Sequence, residues 1–237
     1  MPMKKLPATD GLDFVPVEGG SDPNLVFGVV RRRIGSGAIQ TVPASVLRRL
    51  SPGRKADIAA PWEPTCYRWD VLLPPMAHDD CLDPKHLCEK YEEQAFEGQK
   101  DLLVMMTIRF PDVDRIHAIW EDVRAFARDR LCRERNLAVI AAFHLPVQVG
   151  STNPPHIHLM ALARELKAYG FADFVRPFAA DTGKAMFAAE WAEWQARPGH
   201  SACSGSSPRG GSRRAMTPIS RSSTSRPNGP SRKAGSA

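Results

Sequence analysis

The chain has 237 residues, 43% hydrophobic and 24% charged, which is enough to bury one globular core with some unstructured sequence beside it. No stretch approaches ~18 uninterrupted apolar residues, and Met1 to Asp13 carries two lysines with no apolar run behind them, so neither a membrane span nor a secretory signal is expected and a cytoplasmic location is. The net charge is +6, but residues 197–237 hold eight Lys or Arg and no Asp or Glu, which leaves residues 1–196 at −2; any case for nucleic-acid binding by the folded part must therefore come from a site and not from bulk charge.

Residues 1–64 form a segment whose organisation the sequence does not define. Within it Val26 to Val30 is a short apolar run leading into Arg31, Arg32 and Arg33, and Ala44 to Leu50 has room for one or two helical turns ending near Ser51-Pro52-Gly53. Trp69 to Leu73 reads as a strand closed by Pro74 and Pro75. Pro84 to Gln94 reads as a helix capped by Asp83, with Pro84 in its first position. Leu102 to Phe110 is apolar at most positions and of strand length, the pattern of a buried central strand. After Pro111 the spacing of Val113, Ile116, Trp120, Val123, Ala127 and Leu131 predicts an amphipathic helix with Asp112 as its cap and Glu121, Arg124, Arg128 and Asp129 on the outer face. Leu137 to Leu145 and Pro155 to Ala163 then predict two antiparallel strands joined by a long, turn-rich loop. A last helix, Thr182 to Gln195, sets Met186, Glu190, Trp191 and Trp194 at helical intervals. The expected class is α+β, helices packed on an antiparallel sheet, with a core over 65–196 and a disordered basic tail over 197–237. Such a tail can add salt-sensitive, sequence-independent affinity for phosphate backbones.

The five cysteines, Cys66, Cys81, Cys88, Cys132 and Cys203, are odd in number and irregularly spaced, which argues for reduced thiols. Cys81 and Cys88 with His78 and His86 fit no closed zinc spacing, and Pro84 interrupts them.

His156-Ile157-His158 carries more information. The two-residue period of a strand sends both imidazoles to one face and Ile157 and Leu159 to the other. The same alternation in the preceding strand puts Ile140, Ala142 and His144 together, so a suitable hairpin register brings His144 to the pair. Three imidazoles on one sheet face can hold a divalent cation and leave positions open for a phosphate oxygen and water. The competing reading is that of ordinary strand histidines; His117 and His200 are expected to be structural.

Asn153 to Met160, Asn-Pro-Pro-His-Ile-His-Leu-Met, resembles the metal motif of the MobA/MobL relaxases of the HUH endonuclease superfamily. The likeness extends, in order, over Leu72 to Pro75, Arg109 to Pro111 with its following helix, Ala142 to His144, Ala163 to Leu166, Gly170-Phe171 and Trp191 to Trp194, about 65–195 in all. It implies a single-strand nickase in plasmid mobilisation, with Mg²⁺ or Mn²⁺ at His144, His156 and His158. Its partners would be single-stranded DNA at a transfer origin and accessory mobilisation proteins, without a membrane. A tyrosine would attack the phosphate to leave a 5′-phosphotyrosine and a free 3′-hydroxyl, a covalent link that conserves the bond for rejoining.

The family places that tyrosine in an N-terminal helix, in a segment resembling Ile34 to Gly37 through Ala44 to Arg48, and the matching position here is Leu47. Leucine cannot attack a phosphate. Of the three tyrosines, Tyr67, Tyr91 and Tyr169, Tyr67 lies nearest the region the family uses and is the candidate nucleophile. The sequence after Trp194 also leaves the family's pattern, which implies a truncated or decayed copy that binds metal or DNA without cutting. A histidine-triad nucleotide hydrolase is the other alternative; it would need a third histidine where Met160 stands.

Overall fold

Three strands whose residues are almost all buried form the middle of the sheet, as apolar runs uninterrupted by polar alternation require when both faces are covered. They belong to a computed structural model that describes residues 14–20, 22–34, 37–54 and 57–197. The tail expected over 197–237, with Cys203 and His200, lies outside the described residues except for Arg197.

In chain order the elements are β1 (Leu25–Arg31), α1 (Val42–Leu50), β2 (Arg68–Leu72), α2 (Pro84–Glu93), β3 (Asp101–Arg109), α3 (Ile116–Phe126), β4 (Leu137–His144), β5 (His156–Lys167), β6 (Gly170–Phe174) and α4 (Gly183–Gln195). The strands pair antiparallel in the order β1-β3-β5-β4-β2, and β6 pairs with the far end of β5. The architecture is α+β, as the patterning predicts. Residues 1–64 contribute β1, an edge strand, and α1, which packs on one face of the sheet.

Alternation along the strands sorts the core into two clusters. Val104, Met106, Ile108, Val139, Ala141, Phe143, Ile157 and Leu159 meet α3 and α4 through Trp120, Phe126, Phe187, Trp191 and Trp194. Leu103, Met105, Ile140, Ala142, Met160 and Leu162 meet α1 and α2 through Val46, Leu50, Leu87 and Tyr91. The second face carries the three histidines.

Both helices on that face are closed by local chemistry. Thr41 caps α1 by accepting from the Ala44 N–H at 3.3 Å, and Asp83 caps α2 by accepting from the His86 N–H at 2.7 Å. Asp83→Ala should lower stability by about 1 kcal/mol, read as a shift of the urea midpoint at constant slope. Glu92 ties the helices together: one carboxylate oxygen accepts from the Val42 N–H at 2.7 Å and the other from Arg32 at 2.6 Å.

Two expectations are corrected. Asp112 does not cap α3, whose N-cap is Arg115 with no side-chain bond; the chain is still irregular at Asp112, so its carboxylate is a full turn too early. The predicted α-helix also gives way, at Ala127–Arg133, to π-helical winding, which still buries Ala127, Leu131 and Cys132.

Beyond the predicted Ala163, β5 continues to Lys167 and folds back through Gly170 into β6. Gly170 has φ +120° and faces Gln94 so closely that a β-carbon would lie 2.5 Å from the Gln94 side-chain oxygen. At this corner Arg164, 8% exposed, donates to the carbonyls of Ala172 (2.7 Å), Gln94 (2.6 Å) and Phe171 (2.7 Å), clamping β6 and the end of α2 onto β5.

Candidate metal centre

The register of the β4–β5 pair decides where the histidines meet. His144 lies directly opposite His156, and His158 lies opposite Ala142 on one side and Thr107 of β3 on the other. Ala142 is small, which leaves the space beside His158 open to the other two rings. The three ring centroids are 4.8 to 5.1 Å apart, and one ring nitrogen from each residue lies within 4.8 Å of the others. Among the described residues this is the one group of three His, Cys, Asp or Glu side chains that can hold a metal ion; Cys81, Cys88, His78 and His86 do not assemble into one.

The other nitrogen of each ring is engaged. His144 donates from Nε2 to the Arg49 carbonyl near the end of α1, at 2.7 Å, and His156 donates from Nδ1 to the Pro154 carbonyl at 3.0 Å. His158 Nδ1 is 2.8 Å from the Thr107 hydroxyl, itself buried in an otherwise apolar stretch of strand. Bonds to carbonyls fix the tautomer and turn the free nitrogen toward the common space, the arrangement found around metal-ligating histidines. Thus Nδ1 of His144 and Nε2 of His156 are left as lone-pair donors, and Nε2 of His158 joins them when its Nδ1–H donates to Thr107.

Burial pushes the His144 imidazole down to about 4, partly opposed by its bond to the Arg49 carbonyl and reinforced by the charges of His156 and Arg49. Burial likewise lowers His156, and lowers His158 well below the ordinary histidine value, where the neighbouring imidazoles add to it. All three are therefore neutral at pH 7, the form a metal requires. The residues fit a divalent ion. Because every ligand would be uncharged, the ion would keep its full double charge for an incoming anion.

These rings open into a cavity of about 480 Å³ lined also by Phe14, Val26, Arg48, Arg49, Thr107, Arg109, Asn153 and Pro154. Three arginines and no carboxylate stand among its described lining residues, so the charge beside the histidines favours an anionic group such as a phosphate. Arg48, Arg49, Arg109 and Thr107 are absent from the sequence-derived site. Thr107 and Arg109 left a trace, as polar residues sharing one parity of β3; Arg48 ends the segment that resembles the family's nucleophile helix, but the place of Arg48 and Arg49 beside the histidines is set by tertiary packing.

A solved structure described as the molecular basis of vancomycin resistance transfer in Staphylococcus aureus resembles this chain with a TM-score of 0.55 and 20% identity, over 72% of this chain and 89% of that one. What the two share is the fold. No family model and no curated protein matches the chain.

The tyrosines lie apart from the cavity lining. Tyr67, 39% exposed just before β2, sets its ring edge-on against Phe143 at 5.5 Å, while its backbone N–H bonds to the Phe143 carbonyl at 3.0 Å. Tyr91 is fully buried on α2 against Phe171, and burial raises its phenol far above the ordinary value. Tyr169 is exposed in the β5–β6 turn. Leu47 is buried in α1. Met160, where a histidine triad would need its third histidine, is fully buried, and His117 is exposed on α3. Among the described residues no helix is long and apolar enough to cross a membrane.

Proposed function

We propose that this chain is a relaxase-type protein of plasmid mobilisation, MobA/MobL-like, that binds a divalent metal ion and single-stranded DNA on the histidine face of the sheet and nicks the strand at a transfer origin. The observation that carries this is the convergence of three neutral imidazoles at the mouth of an arginine-lined cavity. His144, His156 and His158 would hold the ion, Mg²⁺ or Mn²⁺, which supplies polarisation of the phosphoryl oxygen and offsets developing negative charge. Arg48, Arg49 and Arg109 hold the phosphate in the cavity, and Thr107 with the Arg49 and Pro154 carbonyls keeps the imidazoles oriented. The partners are the origin strand and accessory mobilisation proteins, and the protein works in the cytoplasm.

Tyr67 is the proposed nucleophile. Its oxygen forms a bond to phosphorus as the bond from phosphorus to the 3′ oxygen breaks; the phenol proton leaves to solvent and the departing oxygen takes one up. Attack requires the half-exposed ring to leave Phe143 for the His144 side of β4. A second reading, a relaxase scaffold that binds DNA without cutting it, is favoured by the position of all three tyrosines outside the cavity lining.

Incubation with single-stranded origin DNA and Mg²⁺ or Mn²⁺, followed by a denaturing gel, separates the two. The proposal expects a covalent adduct in the wild type and none in Tyr67→Phe. An adduct that survives the substitution moves the nucleophile elsewhere, and DNA binding with no adduct under either metal establishes the second reading.

A further inference from the structure

At the opposite end of β1 and β3 lies a second cavity, about 450 Å³, lined by Arg31, Arg32, Arg33, Phe96, Gly98, Gln99 and Lys100. β3 runs nine residues from Arg109 at the histidine cavity to Asp101 beside this one, roughly 26 Å at strand spacing, so the two are separate. The cations there are not equivalent. Arg31 pairs with Asp101 and Asp181, and Arg32 with Glu92, whereas Arg33 and Lys100 are exposed and enter no ion pair among the described residues.

The same cavity wall holds an aromatic ring. Phe96 is 51% exposed, although burying such a ring is favourable. It is held in place: the Arg164 guanidinium sits 5.6 Å from its centroid, and Phe174 packs edge-on at 5.7 Å with Arg176 above its own ring. Gln99, in the same wall, is 4% exposed and its side-chain oxygen has no hydrogen-bond donor. Two exposed cations and a braced aromatic ring match two parts of one nucleotide, phosphate and base face.

We propose that this cavity is a second nucleotide-binding site, taking an unpaired base on Phe96 and its phosphate on Arg33 and Lys100. The base must be unpaired, since a stacked duplex offers no free face. A nucleotide of a DNA strand is the expected occupant, and a free mononucleotide has the same chemistry.

The full chain, kept in EDTA so that the histidine face holds no ion, is titrated into a fluorescent single-stranded oligonucleotide and also crosslinked to one carrying 5-iodouracil. Phe96→Leu, which keeps apolar volume and removes the ring, should weaken binding about fivefold or more. Arg33→Ala with Lys100→Ala should reduce the salt dependence by about 0.7 in log–log slope, the share of one phosphate on a single strand. Crosslinks should map to peptides containing residues 96–100. Competition by deoxythymidine monophosphate would assign the site to free nucleotides, and its failure to compete would assign it to a strand; either supports the site. Wild-type affinity and salt slope in both variants, or crosslinks confined to 144–158 or the C-terminal tail, would overturn it. None of these readouts depends on metal binding at the histidines, so the fate of the relaxase reading does not decide this one.

Discussion

Arg164→Met should destabilise the protein by about 3 kcal/mol, seen as a lower urea midpoint with little change in slope. Methionine fills much of the same volume, so the loss measures hydrogen bonding and not a cavity. In the folded chain the guanidinium satisfies three carbonyls, those of Gln94, Phe171 and Ala172, from a position 8% exposed. Left without donors, such acceptors cost ~1 kcal/mol or more each, against which the released desolvation of the charge is a partial offset. Arg164→Lys restores one donor direction at most and should recover only part of the loss, because a single ammonium cannot span three carbonyls held by a planar fork. A change below about 1 kcal/mol for Arg164→Met would mean that water replaces the guanidinium at this corner.

His158→Ala should reduce divalent-metal affinity by more than the ~10–100-fold that losing an outer-shell partner costs. The three ring centroids form a nearly equilateral triangle, 4.8 to 5.1 Å on a side, so the loss of His158 leaves only two of three protein ligands. The pH dependence has a defined sign. Below about 6.5 the unfolded chain takes up protons on these imidazoles, whereas burial holds His144 neutral down to about 4 and His158 well below the ordinary value. The unfolded state therefore binds more protons in that window, and metal-free stability should fall as pH drops from about 6.5 toward 4, with no contribution from these groups above it. In His158→Ala that acid-side slope should be shallower, which thermal melts across pH 4 to 7 would show. An unchanged slope would mean that the histidines are more accessible to water than the packing indicates.

The elements that carry the histidines were legible because their information is local. The apolar runs of β3, β4 and β5 mark buried strands, and the alternation of Ile140, Ala142 and His144 in one strand and of His156 and His158 in the next puts the imidazoles of each strand on a single face. Asp83 announced α2 in the same way, through one carboxylate at one offset. What escaped depends on distant segments. β6 is five residues long and exists because Arg164 and Gln94 fasten it from elsewhere, through bonds that no periodicity encodes. The Arg49 carbonyl reaches His144 across 95 positions of chain, and its role could not be read from the amphipathic pattern of α1, which marks the buried face of the helix but not the strand end that it covers. Asp112 shows the opposite failure: a good cap residue stands where the backbone has not yet turned, and the helix begins later without one.

Metal capture by the three imidazoles is tested most directly by electron paramagnetic resonance of the protein with Mn²⁺. One tightly held ion per chain is predicted, with nitrogen couplings from histidine that weaken or vanish in His144→Ala, His156→Ala and His158→Ala. Mn²⁺ that stays hydrated in the wild type, or that binds equally well without these side chains, would contradict it.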